Sequence, residues 1–162
     1  MPDCTRNNPK FAGSVWPWDV NTNLVAELEK RGAKRDSLYC PSNAGMNDER
    51  HWDFPKFTRA RTRVLGYVFL FNGCRDVPPW LARTNLSGDA LRKPAEVELT
   101  ADATVSQGGD YAHIKGFSTD RSSHLSGQNP AGGNILFEDG HASWRPFGQM
   151  KHQMIAQVVW DF

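Results

Sequence analysis

Asn134-Ile135-Leu136-Phe137-Glu138-Asp139-Gly140-His141-Ala142-Ser143-Trp144-Arg145 is the stretch whose reading decides the fold. Asp-Gly between two alternating runs favours a two-residue type I′ turn, in which both central residues take positive φ. Such a turn predicts a hairpin with Glu138 opposite His141, Phe137 opposite Ala142, Leu136 opposite Ser143 and Ile135 opposite Trp144. Successive side chains in a strand point to opposite faces. Ile135, Phe137, Ala142 and Trp144 then make a buried face, with Gly140 closing the turn and Trp144 in the core. Leu136, Glu138, His141 and Ser143 face the other way.

Upstream of the hairpin, Ser118 to Gly133 is long, polar and glycine-rich, which calls for a functional or flexible reading. Thr62–Phe71 carries nearly continuous β-branched and aromatic bulk, predicting a central strand covered on both faces. Glu96–Ala101 and Tyr111–Phe117 are weaker strand candidates, with a turn through Ser106–Asp110 between them. Residues 1–18 form an irregular lead-in. After them Asp19 is placed to cap a helix on which Val20, Leu24 and Leu28 recur on one face, with Val25 beside them. Glu27 is spaced to meet Arg31, and Gly32 is a natural stop. The tail fits either a short helix through Met154, Ile155 and Val158 or a final strand through Val158–Phe162. The fold class is α+β, with an antiparallel sheet packed against an N-terminal helix in a single domain spanning 1–162.

Bulk properties narrow the function. An apolar fraction of 39% supports a folded core over wholesale disorder. Lys+Arg 19 against Asp+Glu 18 leaves a net charge of +1, without the basic excess of a nucleic-acid binder. Arg59, Arg61 and Arg63, spaced by two, read as the solvated face of a strand. Cys4, Cys40 and Cys74 contain no CxxC pair and are too sparse for a disulfide scaffold. A single Cys40–Cys74 bridge and reduced packing both remain open. No run approaches a membrane span, and MPDCTRNNPKF lacks the basic and apolar regions of a secretory leader, so the chain as given carries no targeting segment.

No reaction motif is assembled, so no catalytic residue is predicted. HExxH, the G-x-S-x-G elbow and the phosphate-cradling glycine loops are all missing. His124, Asp139 and His141 would suit a small metal site if the 118–133 loop folds back onto the hairpin. The plainer reading gives His141 a cross-strand pair with Glu138 and makes His124 a loop anchor. Asp102, Asp110, Asp120 and Asp139 lie in or beside loops whose oxygens suit calcium, although no EF-hand order is present. Trp16, Trp18, Trp52 and Trp80 read mainly as core, or else as stacking surfaces for sugars.

Several segments together carry a resemblance. Ser122-Ser123-His124-Leu125, Pro130-Ala131-Gly132-Gly133-Asn134-Ile135-Leu136-Phe137-Glu138-Asp139-Gly140-His141 and Trp144-Arg145 resemble the C-terminal signature of prepilin-type, pseudopilin-like proteins. That signature is known as H-X9-DG. Here residues 125–138, rather than nine, separate His124 from Asp139-Gly140. Trp18-Asp19, Tyr39-Cys40-Pro41-Ser42, Gly66-Tyr67 and Leu99-Thr100-Ala101-Asp102-Ala103 are also similar to family segments. The resemblance covers about residues 16–160.

It implies a pseudopilin-like globular domain related to those of type II secretion, with Asp19, Cys40, Asp102, Gly133, Gly140 and Trp144 in structural roles. It also implies a periplasmic or cell-surface location, protein partners in an envelope or filament assembly, and no nucleic-acid partner. Related major pseudopilins hold Ca2+ in a C-terminal loop. Family members normally begin with a hydrophobic helix that supplies their membrane contact, and this sequence does not contain it. Two other functions compete: a carbohydrate-binding surface module and a small metal-dependent hydrolase.

Overall fold

The computed structural model describes residues 18–54, 61–70, 93–115 and 120–150, together with the backbone of two strands beyond them. The first described strand is β1 (Asp19–Asn21), which leads directly into α1 (Thr22–Lys30). The cap of α1 is Asn21, whose side-chain oxygen accepts from the Asn23 N–H at 2.9 Å. Asp19 is unavailable for that role because it lies two residues earlier, in a strand paired with Val64 of β2 (Thr62–Val64). Gly32, at φ +99, ends the helix: its own N–H donates to Glu29 and that of Ala33 to Leu28. This is the paired capping of orphan carbonyls that a left-handed residue permits. Glu27 meets Lys30 at 2.9 Å, one position short of the expected Arg31.

After short 3-10 turns at Arg35–Leu38 and Pro41–Met46 comes α2 (Glu49–Trp52). The apolar run after Arg61 forms two strands where one was expected. The Leu65 N–H donates to Trp18 and that of Gly66 to Leu38, so the backbone changes partners there. β2 pairs with β1, while β3 (Tyr67–Phe69) pairs with β4 (Glu98–Asp102). Val64, Leu65 and Val68 are fully buried, and among the described residues β3 is an outer strand of its sheet. Continuous apolar character here goes with burial in the core.

Next come β5 (Thr104–Gln107), β6 (Leu125–Ser126), β7 (Asn129–Pro130), β8 (Gly132–Phe137) and β9 (Ala142–Pro146). Backbone alone is described for β10 (His152–Ile155) and β11 (Val158–Asp161). Among the described residues every pairing is antiparallel, and the larger sheets run β3-β4-β8-β9 and β10-β11-β5. The tail therefore forms strands, and its second strand docks on β5. Tyr111–Lys115 is not a strand, and the Asp110 side chain accepts there from the N–H groups of Ala112 and His113. Leu24 and Val25 of α1 share one buried cluster with Val68, Ala101 and Ile135, giving the α+β arrangement.

The hairpin forms, but in another register. Gly140 alone takes the positive φ within the turn, at +91. The Gly140 N–H donates to Phe137, and the Phe137 N–H donates to His141. Glu138-Asp139-Gly140 is thus a three-residue loop with glycine in the left-handed position. Asp139 stays out of positive φ while its carboxylate accepts from the His141 N–H at 3.0 Å and lies 2.6 Å from His141 Nδ1. The extra loop residue moves the pairing by one: Leu136 faces Ala142, Ile135 faces Ser143 and Asn134 faces Trp144. A shift of one turns a whole strand over. Ile135 remains in the core at 1% exposure, whereas Trp144 is on the outside at 45%. His141 stacks on Phe137 at 4.3 Å and does not form the expected pair with Glu138.

Burial pushes the Asp19 carboxyl from 3.8 up to about 7. Between those values the folded protein keeps a proton that the unfolded chain has lost. The associated stability is complete below 3.8 and is lost as pH rises to about 7. Asp19→Asn should cancel that decline, by up to ~1.4 kcal/mol per pH unit. Denaturant melts across the window check this, and an unchanged pH slope would contradict it.

Candidate functional site

β4 ends on Asp102, a carboxylate only 1% exposed. Two donors from β8 reach its Oδ2: the Asn134 backbone N–H at 2.6 Å and Asn134 Nδ2 at 2.9 Å. The neighbouring Gly133 makes this approach possible. A Cβ there would stand 2.8 Å from Met150 Cε and 3.2 Å from Asp102 Cβ. His124 Nε2 completes the surroundings, 2.9 Å from the same oxygen.

His124 is held in place from several directions. Ser122 Oγ accepts from the Val105 N–H at 2.7 Å and donates to the Val105 carbonyl, anchoring the segment on β5. The Ser123 N–H donates to Ala103, and the His124 N–H donates to Ser42 Oγ at 2.8 Å. Among the described residues His124 is the one non-glycine with positive φ, at 51. A left-handed backbone costs an ordinary residue about 1–3 kcal/mol and persists only where its surroundings enforce it. The Trp144 ring meets the imidazole edge-on, with centroids 5.1 Å apart.

Cys40 arrives from the other side. Tyr39, the residue before it, is held by donating its hydroxyl to the Val64 carbonyl at 2.9 Å. Gly66 packs against the Tyr39–Cys40 backbone, where a Cβ would lie 2.8 Å from Cys40 N and from Tyr39 Cα. The Cys40 thiol is free and 2% exposed. Its sulfur is 3.3 Å from His124 Nε2 and 3.0 Å from Ser42 Oγ. Burial pushes the thiol pKa up, against the Ser42 hydrogen bond that favours the thiolate.

Among the described residues, Cys40, Asp102 and His124 are the one triple of His, Cys, Asp or Glu whose ligand-type atoms all lie within 4.8 Å. The structure brings His124 to Cys40 and Asp102, and brings Asp139 and His141 to each other. Asp110 bonds its own loop, and Asp120 is exposed. The triple offers sulfur, nitrogen and one carboxylate, which is not the all-oxygen set calcium takes. The free Cys40 thiol means that no Cys40–Cys74 bridge is present; Cys4 and Cys74 lie outside the described residues, as do Arg59, Trp16 and Trp80. Arg63 covers Trp52 at 4.1 Å and bonds its carbonyl, so it is not a free strand-face charge. Trp18 is buried.

Cysteine, histidine and aspartate together invite comparison with a nucleophilic relay. In a relay the nucleophile uses one imidazole nitrogen and the carboxylate orients the ring through the other. Here thiol and carboxylate both face Nε2. The arrangement converges on a point rather than passing a proton along a line. Sequence reasoning noted Cys40 and Asp102 in family-like segments but missed their convergence with His124, because positions 40, 102 and 124 follow no local motif spacing. No family model, curated protein or solved structure matches the chain.

Gly66→Ala should displace the Cys40 backbone and lower stability by about 1–3 kcal/mol, the usual cost of overpacking. Denaturant melts measure the loss, and alkylation mapped to Cys40 should accelerate. Unchanged stability and labelling would refute the contact's role.

Proposed function

We propose that this chain is a noncatalytic, pseudopilin-like structural or interaction domain of a cell-envelope, secretion or pilus-like assembly. The convergence of the segments that carry the resemblance is the main support. Tyr39-Cys40-Pro41-Ser42, Gly66, Asp102, Ser122-Ser123-His124 and Gly133-Asn134 are scattered in sequence yet meet in one cluster. Such a meeting fits a shared scaffold better than unrelated turn signals. Antiparallel sheets with α1 in the same core fit the globular part of such a protein.

The shared use of His124 Nε2 and the burial of Cys40 and Asp102 support a noncatalytic role. The partners in this reading are proteins of the assembly, met at the periplasmic or outer face of the cell. A carbohydrate-binding module has less support: among the described residues Trp144 is the one exposed tryptophan, and its ring is engaged with His124. No helix among the described residues is long and apolar enough to cross a membrane.

The test is fractionation of source cells expressing the gene from its own locus, followed by immunodetection of this chain. Recovery in the envelope or in sheared surface material, with protease sensitivity in intact cells stripped of their outer layer, is the expected result. Recovery wholly in the cytosol would overturn the proposal.

A further inference from the structure

We propose that Cys40 Sγ, Asp102 Oδ2 and His124 Nε2 are the ligands of a single zinc ion, which clasps β4 to the segments carrying residues 40 and 124. The site stands whether or not the chain serves a pilus-like assembly.

One ring nitrogen, His124 Nε2, has two competing neighbours. Nε2 presents a single in-plane position, filled by either a proton or a lone pair. Yet the Cys40 sulfur lies 3.3 Å from it and the Asp102 oxygen 2.9 Å. One proton on Nε2 can serve only one acceptor. A cation set among sulfur, nitrogen and oxygen serves all three.

The spacing fits zinc. Tetrahedral zinc with bonds of about 2.0–2.3 Å separates its ligand atoms by about 3.3–3.6 Å. The sulfur–nitrogen distance of 3.3 Å needs to open by about two tenths of an ångström, and the nitrogen–oxygen distance of 2.9 Å by about four tenths. Mixed sulfur, imidazole and carboxylate ligation is within zinc's range.

A second observation comes from Ser123. The residue is 0% exposed and its Oγ has no hydrogen-bond partner. It adjoins His124 in the chain, and its backbone N–H is tied to Ala103 beside Asp102. A buried hydroxyl without a partner is costly to hold away from water. Zinc, or a water bound to it in the fourth position, gives that oxygen something to bind.

The outer residues match those that orient metal ligands. Asn134 fixes the carboxylate oxygen twice, Ser42 contacts the sulfur, and Trp144 packs edge-on against the imidazole. His124 combines a left-handed backbone with a ring that contacts both Cys40 and Asp102. Binding forms Zn–S, Zn–N and Zn–O bonds and releases the thiol proton to solvent, with no redox change. A thiolate, a carboxylate and a neutral imidazole around Zn2+ carry no net charge, which suits a buried position.

The test uses the full chain, stripped with a chelator and titrated with Co2+ and then Zn2+. One cobalt per chain should bind, giving a sulfur-to-cobalt charge-transfer band and tetrahedral visible bands that zinc abolishes. Zinc should also raise the thermal midpoint. Cys40→Ser should remove the charge-transfer band, while the Cys4→Ser/Cys74→Ser double variant and His141→Ala should keep it. Asn134→Ala should weaken binding roughly 10–100-fold by releasing the carboxylate. X-ray absorption of the zinc-loaded parent protein needs no variant and should show one sulfur at about 2.3 Å with nitrogen and oxygen at about 2.0–2.2 Å. Failure to bind one ion per chain, an unchanged cobalt spectrum in Cys40→Ser, or a zinc shell without sulfur would each overturn the proposal.

Discussion

The Asp102 carboxylate is the constraint on which the surrounding structure depends. It is buried at the end of β4, where an unpartnered polar group would be costly. Its partners must therefore be supplied from neighbouring chain. Asn134 supplies two donors, and it can do so only because Gly133 lets β8 approach. His124 reaches the same oxygen, which requires a left-handed backbone held by Ser42 and by the bonds of Ser122 and Ser123 to β5 and its lead-in. Cys40 then fits between them because Gly66 has no side chain. Five glycine or serine choices that look unrelated in sequence follow from one buried oxygen.

The hairpin shows how local sequence can name an element and mistake its geometry. Asp139-Gly140 does lie in the turn, and Ile135 does face the core. Sequence alone did not reveal that the Asp139 side chain bonds ahead to His141, an alternative to left-handed backbone at that position. That single bond accompanies a three-residue loop and puts Trp144 on the outer face. The helix shows a similar displacement: its apolar face and Gly32 stop were legible, but its cap moved because Asp19 was drawn into strand pairing. β5 was missed since only its tertiary partner, a strand far along the chain, distinguishes Thr104–Gln107 from a loop.

The site was less legible than the fold, for a physical reason. Helical and strand periodicities constrain neighbours a few positions apart, whereas this cluster joins residues 22 and 84 positions apart. The sequence picked out His124 as chemically interesting and supplied Asp139 and His141 as companions because they are near it along the chain. The folded protein supplies companions near in space. Cys40 and Asp102 drew attention only through family-like segments, with no spacing to link them.

That same separation has a kinetic consequence. Contacts between distant positions form after loop closure has been achieved, and topologies rich in them fold slowly. The contact between Cys40 and His124 depends on β4, β8 and the 122–124 segment already being in place. Burial of the thiol thus requires those long-range contacts, so its protection from solvent reports on the assembled sheet rather than on any one local element.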